Sequence, residues 1–179
     1  MFTQTPERDD EREFRRFVLE AAPTLLRAAA MLSRDFATAE DLMQTTFVRV
    51  ARRWTTARKA PLAYSRRVLV NLARDDARRL ARKPTVPLSD KHLDVTPGAD
   101  SMARVADRLV LLQAIRALPE PQRAVIVLRF YLELSVGETS KLLSIPEGTV
   151  KSATSRALAK LAHVVTPDEL EQTRGGIRC

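Results

Sequence analysis

The stretch SVGETSKLLSIPEGTVKSATSRALAKL, residues 135–161, decides the fold. Ser135 and Glu138 have the spacing of a capping box, which predicts a short helix ending near Leu143. Ile145 to Gly148 read as a tight turn, and Thr149 reads as the cap of a final helix through Val150, Ala157, Leu158 and Leu161. Two helices joined by a short turn containing glycine form a helix-turn-helix pattern. Its second helix must keep one face on the domain while its leading end enters the major groove. Val150, Thr154, Ala157, Leu158 and Leu161 can face inward, leaving Thr149, Lys151, Ser152, Ser155 and Arg156 outward near the helix start. Small hydroxyls there let the backbone approach a groove, and the two cations suit phosphates or a guanine edge. The competing reading is a helical hairpin with a solvated polar face.

Upstream, Val105, Leu109, Leu112, Ile115 and Leu118 mark a helix stopped by Pro119 and Pro121, and a further helix is expected from about Gln122 to Leu132. Residues 82–101 collect three prolines, a glycine and many polar residues without helical period, and read as a linker. Before them, Phe14, Phe17, Val18, Ala21, Leu25, Ala28 and Leu32 form one apolar stripe, which Pro23 should kink or split. Thr38 and Asp41 announce a second helix carrying Leu42, Met43, Phe47 and Val50, with Trp54 continuing that stripe into the core. Its opposite face holds Asp41, Gln44, Thr45, Val48 and Arg52. Loop 55–60 leads to Pro61, suited to the first turn of a helix with Leu62, Leu69, Leu72 and Leu80. The expected fold is all-α. Two small helical domains, residues 10–81 and 102–166, are joined by a flexible linker, residues 82–101, and followed by a fraying polar tail.

The charge is concentrated. Of a net +8 over 179 residues, residues 1–48 contribute −3 and residues 49–83 contribute +10. A positive segment of this density is the footprint of a polyanion-binding surface, although an Arg-rich solvated helix would look the same. The single cysteine, Cys179, excludes an internal disulfide and fits a reducing cytoplasm. The acidic start MFTQTPERDDERE is no signal peptide, and no apolar run is long enough to span a membrane. His92 and His163 have no ligand cluster around them, so neither metal nor cofactor is expected.

The combined pattern ALPEPQRAVIVLRFYLELSVGETSKLLSIPEGTVKSATSRALAKL, residues 117–161, resembles region 4 of the bacterial sigma factors, which reads the −35 promoter element. TAEDLMQTTFVRVARRW, residues 38–54, and APLAYSRRVLVNLARDDARR, residues 60–79, resemble sigma region 2, which binds core polymerase and opens the −10 element. Two such regions and a short linker are similar to the extracytoplasmic-function (ECF) group, in its actinobacterial SigE-like branch. The resemblance implies a transcription initiation factor that catalyses no reaction. Its partners would be core RNA polymerase and promoter DNA, with room for an anti-sigma factor.

The resemblance places core binding on Asp41, Gln44 and Thr45, on the helix face that lacks a core partner, although that face could simply be solvated. It places −10 contacts on Arg58, Lys59, Tyr64, Arg66, Arg67, Asn71 and Arg74. Strand opening needs an unstacked base to be held by hydrogen bonds and stacking, with cations along the phosphates. Asn71 can read a base edge, and Tyr64 either stacks or packs. Ser144 stands where the family often has glycine, and Ala153 where many relatives carry a larger basic residue, which would leave fewer phosphate contacts. Two other readings are a stand-alone helix-turn-helix regulator and a nucleic-acid enzyme using Asp75, Asp76 or Glu40 with Asp41. The first would need a regulatory first half. Adjacent acids on a helix diverge by about 100°, which makes a poor metal clamp. Asp75 suits an ion pair with Arg78 or Arg79 instead.

Overall fold

The computed structural model describes residues 6–82 and 102–162, with side chains from residues 9–82 and 108–162; the expectations for residues 83–101, His92, His163 and the tail lie outside them. Every regular element among the described residues is helical. The chain divides into two compact units, Met1–Asp90 and Lys91–Cys179.

The first unit holds α1 (Pro6–Leu32), α2 (Phe36–Ala51), a single turn α3 (Trp54–Ala57) and α4 (Pro61–Ala81). Helix α1 runs unbroken through Pro23. An internal proline costs about 3 kcal/mol. Pro23 is exposed, while Ala21, Leu25, Ala28, Ala29 and Leu32 are buried in the same helix. A buried leucine alone contributes about 1.5–3 kcal/mol, so packing on both sides of the proline offsets the break. Helices α1, α2 and α4 pack on one another. Leu42 and Val50 of α2 and Leu69, Val70 and Ala73 of α4 complete the core. Two polar residues in it, Thr46 and Ser65, turn their hydroxyls back onto the carbonyls of Leu42 (2.7 Å) and Pro61 (2.8 Å).

The cap of α2 lies earlier than the sequence suggests. Asp35, in extended backbone, accepts a hydrogen bond from the Thr38 amide at 2.7 Å, so Thr38, the third residue of the helix, supplies the donor and not the cap. Helix α2 stops at Ala51, and Trp54 reaches the core as the first residue of α3. Its ring packs edge-on to Phe14 with centroids 5.1 Å apart and tilted to Phe17 at 5.7 Å. Pro61 opens α4, as its fixed φ allows.

The second unit holds α5 (Met102–Ala117), α6 (Glu120–Ile126), α7 (Val136–Leu143) and α8 (Glu147–Leu161). The helix expected from about Gln122 to Leu132 is α6 continued by one π-helical turn, Val127–Tyr131. Residues 123–128 are buried without interruption, so this segment is the central rod of its unit, packed by α8. Arg123 is part of that rod. Its guanidinium donates to the carbonyl of Arg116 near the end of α5 at 2.9 Å, and burial holds its pKa below the ordinary arginine value, with Glu120 opposing the shift.

Candidate nucleic-acid interface

In the second unit the capping box closes in both directions. The Ser135 hydroxyl accepts from the Glu138 amide (3.1 Å), and the Glu138 carboxylate accepts from the Ser135 amide (2.7 Å). This fixes the start of α7. Its end is set by Ser144, whose backbone lies in the left-handed region (φ 55°, ψ 47°). The turn therefore places a serine where glycine would carry no strain. Helix α8 begins earlier than expected, at Glu147 with Pro146 as cap, so Gly148 and Thr149 lie inside its first turn. A Cβ added at Gly137 would sit 3.3 Å from a Glu147 carboxylate oxygen, so α7 lies close to the start of α8 there.

The inward face of α8 is Val150, Ala153, Ala157 and Leu161, all buried. Ala153 thus belongs to the core, and the expected loss of phosphate contacts at that position does not apply, because its Cβ does not point outward. Thr154 is half-buried, with its hydroxyl on the Val150 carbonyl (2.8 Å), and Leu158, expected inward, is 38 % exposed. Thr149, Lys151, Ser152, Ser155 and Arg156 are all exposed on the leading part of the helix. Arg156 folds back along it, its Nε 3.3 Å from the Ser152 carbonyl and one terminal nitrogen 3.4 Å from the Ser152 hydroxyl. Lys151 shares an open cleft with Val136, Leu158 and Arg129. Arg129, which sequence reasoning missed, is braced there by donating to the Leu134 carbonyl at 2.6 Å. Its position inside an apolar run concealed it.

In the first unit, Asp41, Gln44 and Thr45 are exposed on one stripe of α2 with Val48, which is 50 % exposed, and Arg52. Successive 100° steps bring these five within about 100° of arc, opposite buried Ala39, Leu42, Thr46 and Val50. Asp41 and Thr45 also line a cleft whose other wall is Leu72, Asp75 and Arg79 of α4. Asp75 and Asp76 pair within their own helix with Arg78 (3.7 Å) and Arg79.

The residues expected at the −10 element divide by geometry. Tyr64, Arg67, Asn71 and Arg74 share one stripe of α4, while Arg66 falls on the inward side, half-buried with its Nε shielded from solvent. Arg67 and Asn71 are exposed, Arg74 is half-buried, and the Tyr64 ring packs against the cluster of Val50, Trp54 and Ala57. Lys59 is exposed and makes no ion pair among the described residues. Arg58 is held from α1, by Asp10 at 2.6 Å and Glu13 at 3.4 Å. The sequence hinted at that pairing only through the opposed charges of the two segments. Among the described residues no group of three or more His, Cys, Asp or Glu is placed to hold a metal, and no helix is long and apolar enough to cross a membrane.

Comparison with known proteins agrees with both units. Residues 17–83 match the family described as Sigma-70 region 2, and residues 108–161 match Sigma-70, region 4. The first half thus has a family match of its own, which does not favour a stand-alone regulator. The chain is 36 % identical over 163 residues to the RNA polymerase sigma-E factor of Streptomyces coelicolor, covering 89 % of each. It is 34 % identical over 143 residues to the ECF RNA polymerase sigma factor SigM of Mycobacterium tuberculosis, covering 79 % of this chain and 71 % of that one. Among solved structures, the sigma factor RpoE of Bartonella quintana, crystallised with the anti-sigma factor NepR, shares the fold with a TM-score of 0.64 at 22 % identity, over 88 % of this chain and 99 % of that one. Two matched regions and these relatives agree: the chain belongs to the actinobacterial ECF RNA polymerase sigma factors and directs polymerase to promoters.

Proposed function

We propose that the two surfaces divide the work of initiation. Asp41, Gln44 and Thr45 on the solvent stripe of α2 dock on core polymerase. Lys59, Arg67, Asn71 and Arg74 follow a melted −10 strand, with Arg58 joining them. Tyr64 and Arg66 support that surface from its inner side, since one packs on the core and the other faces inward. Thr149, Lys151, Ser152, Ser155 and Arg156 enter the −35 major groove. Residues 10–81, 82–101 and 102–166 are the corresponding domain, linker and domain. The protein acts in the cytoplasm beside polymerase and itself catalyses no reaction.

The observation that carries this reading is the exposed, hydroxyl-rich leading end of α8, set on a buried face of Val150, Ala153, Ala157 and Leu161. A helix built this way offers small side chains to base edges and a cation to the backbone. Few phosphates are neutralised by it, so the free protein binds duplex weakly and core polymerase supplies the rest. Run-off transcription from a genomic library with purified core polymerase tests this. Discrete transcripts that depend on this chain are expected; transcripts no different from those of core enzyme alone would refute it.

A further inference from the structure

The carboxylates on Arg58 come from 45 and 48 positions away and are placed there by packing. Asp10, Glu13, Phe14 and Phe17 are spaced i, i+3, i+4 and i+7, one stripe of α1. The two rings of that stripe rest on Trp54, which opens α3, and Arg58 is the residue that closes α3, its amide donating to the Trp54 carbonyl at 2.8 Å. Docking the rings therefore carries the two acids over the guanidinium. Oxygens from two carboxylates around one arginine fork imitate the arrangement a phosphate offers. The acids belong to the negative segment 1–48 and the arginine to the positive segment 49–83.

We infer that Asp10 and Glu13 are a built-in competitor for DNA: in the free chain they occupy Arg58 where a strand phosphate would bind, and an incoming −10 strand must displace them. This rests on the reading that loop 55–60 touches single-stranded promoter DNA. The acids are partly exposed, with side chains 34 % and 37 % accessible, so displacement needs no unfolding. The device lowers the affinity of free factor for stray single strands and releases a cation only where other contacts hold the strand against the loop.

The test is fluorescence anisotropy with the full chain and a labelled single-stranded oligonucleotide about a dozen nucleotides long, titrated at several salt concentrations. The Asp10→Asn, Glu13→Gln double variant should bind about three- to tenfold more tightly, the scale of two exposed ion pairs, with a salt slope steeper by about one unit. Adding Arg58→Gln to that variant should remove the gain. A gain that survives Arg58→Gln would show only a general loss of negative charge, and no gain would show no competition; either overturns the proposal. If the double substitution loosens α1, Asp10→Asn alone carries the same test, since Asp10 makes the shorter contact. Lys59→Ala separates the two layers. If it leaves oligonucleotide binding unchanged, the loop is not a strand-binding element and the underlying reading fails; if it weakens binding and the acids have no effect, only the competitor fails.

Discussion

The Ser140 hydroxyl donates to the carbonyl of Ile145 at 2.6 Å, spanning the turn between α7 and α8 from one side while Ser144 bends through left-handed backbone on the other. A non-glycine residue in that region costs about 1–2 kcal/mol, and glycine returns about 0.5–1 kcal/mol of that as lost chain entropy. Ser144→Gly should therefore stabilise the second unit by about 0.5–1 kcal/mol, read as a higher midpoint in thermal or urea unfolding. Ser140→Ala should lower it by about 1 kcal/mol. A Ser144→Gly variant no more stable than the parent would show that the turn holds no strain.

Position 153 offers a sharper contrast between sequence and structure. Judged by resemblance, Ala153 is a missing cation, and a basic residue there should tighten DNA binding. Judged by burial, at 3 % exposure, Ala153→Arg forces a long charged side chain into the buried face of α8. Overpacking and burial of charge each cost about 1–3 kcal/mol or more. The expected result in chemical denaturation is a destabilised second unit with no gain in duplex affinity.

Trp54 ties α1 to α3, so Trp54→Ala should cost the first unit about 3–5 kcal/mol in urea unfolding followed by circular dichroism. Its Nε1 is buried without a hydrogen-bond partner. Trp54→Phe keeps most of the ring contact and removes that unpaired donor, so it should cost less than about 2 kcal/mol. Equal costs for the two would mean that the rings of Phe14 and Phe17 do not hold this junction.

On α8, Lys151 is exposed while Arg156 is folded onto Ser152. In duplex titrations across salt, Lys151→Ala should weaken binding for all sequences and reduce the salt slope by about one unit. Ser152→Ala removes a partner of Arg156 without removing a charge, so the slope should stay unchanged.

Much of this was legible in the sequence. The capping box at Ser135 and Glu138 and the Pro61 start of α4 were readable because each is fixed by residues within one turn. Polar stripes such as Asp41, Gln44 and Thr45 were readable because helical period alone sorts them from Leu42 and Val50. What needed packing was not readable. The inward turn of Ala153 and the unbroken passage of α1 through Pro23 depend on which face the rest of the unit covers, whereas the cap at Asp35 and the start of α8 at Glu147 are local and were obscured by a second capping residue a few positions on, Thr38 and Thr149. The grip of Asp10 and Glu13 on Arg58 spans more than forty residues, and local pattern carries no information over such a distance.

The central claim is that polymerase and duplex DNA are served by different units, and co-elution with core RNA polymerase in size-exclusion chromatography tests it most directly. Asp41, Gln44, Lys151 and Arg156 are exposed, so substituting them should leave stability within about 0.5 kcal/mol. The account predicts that the Asp41→Ala, Gln44→Ala variant is folded yet elutes apart from core enzyme, and that the Lys151→Ala, Arg156→Ala variant elutes with it. An Asp41→Ala, Gln44→Ala protein that still travels with polymerase would contradict the account.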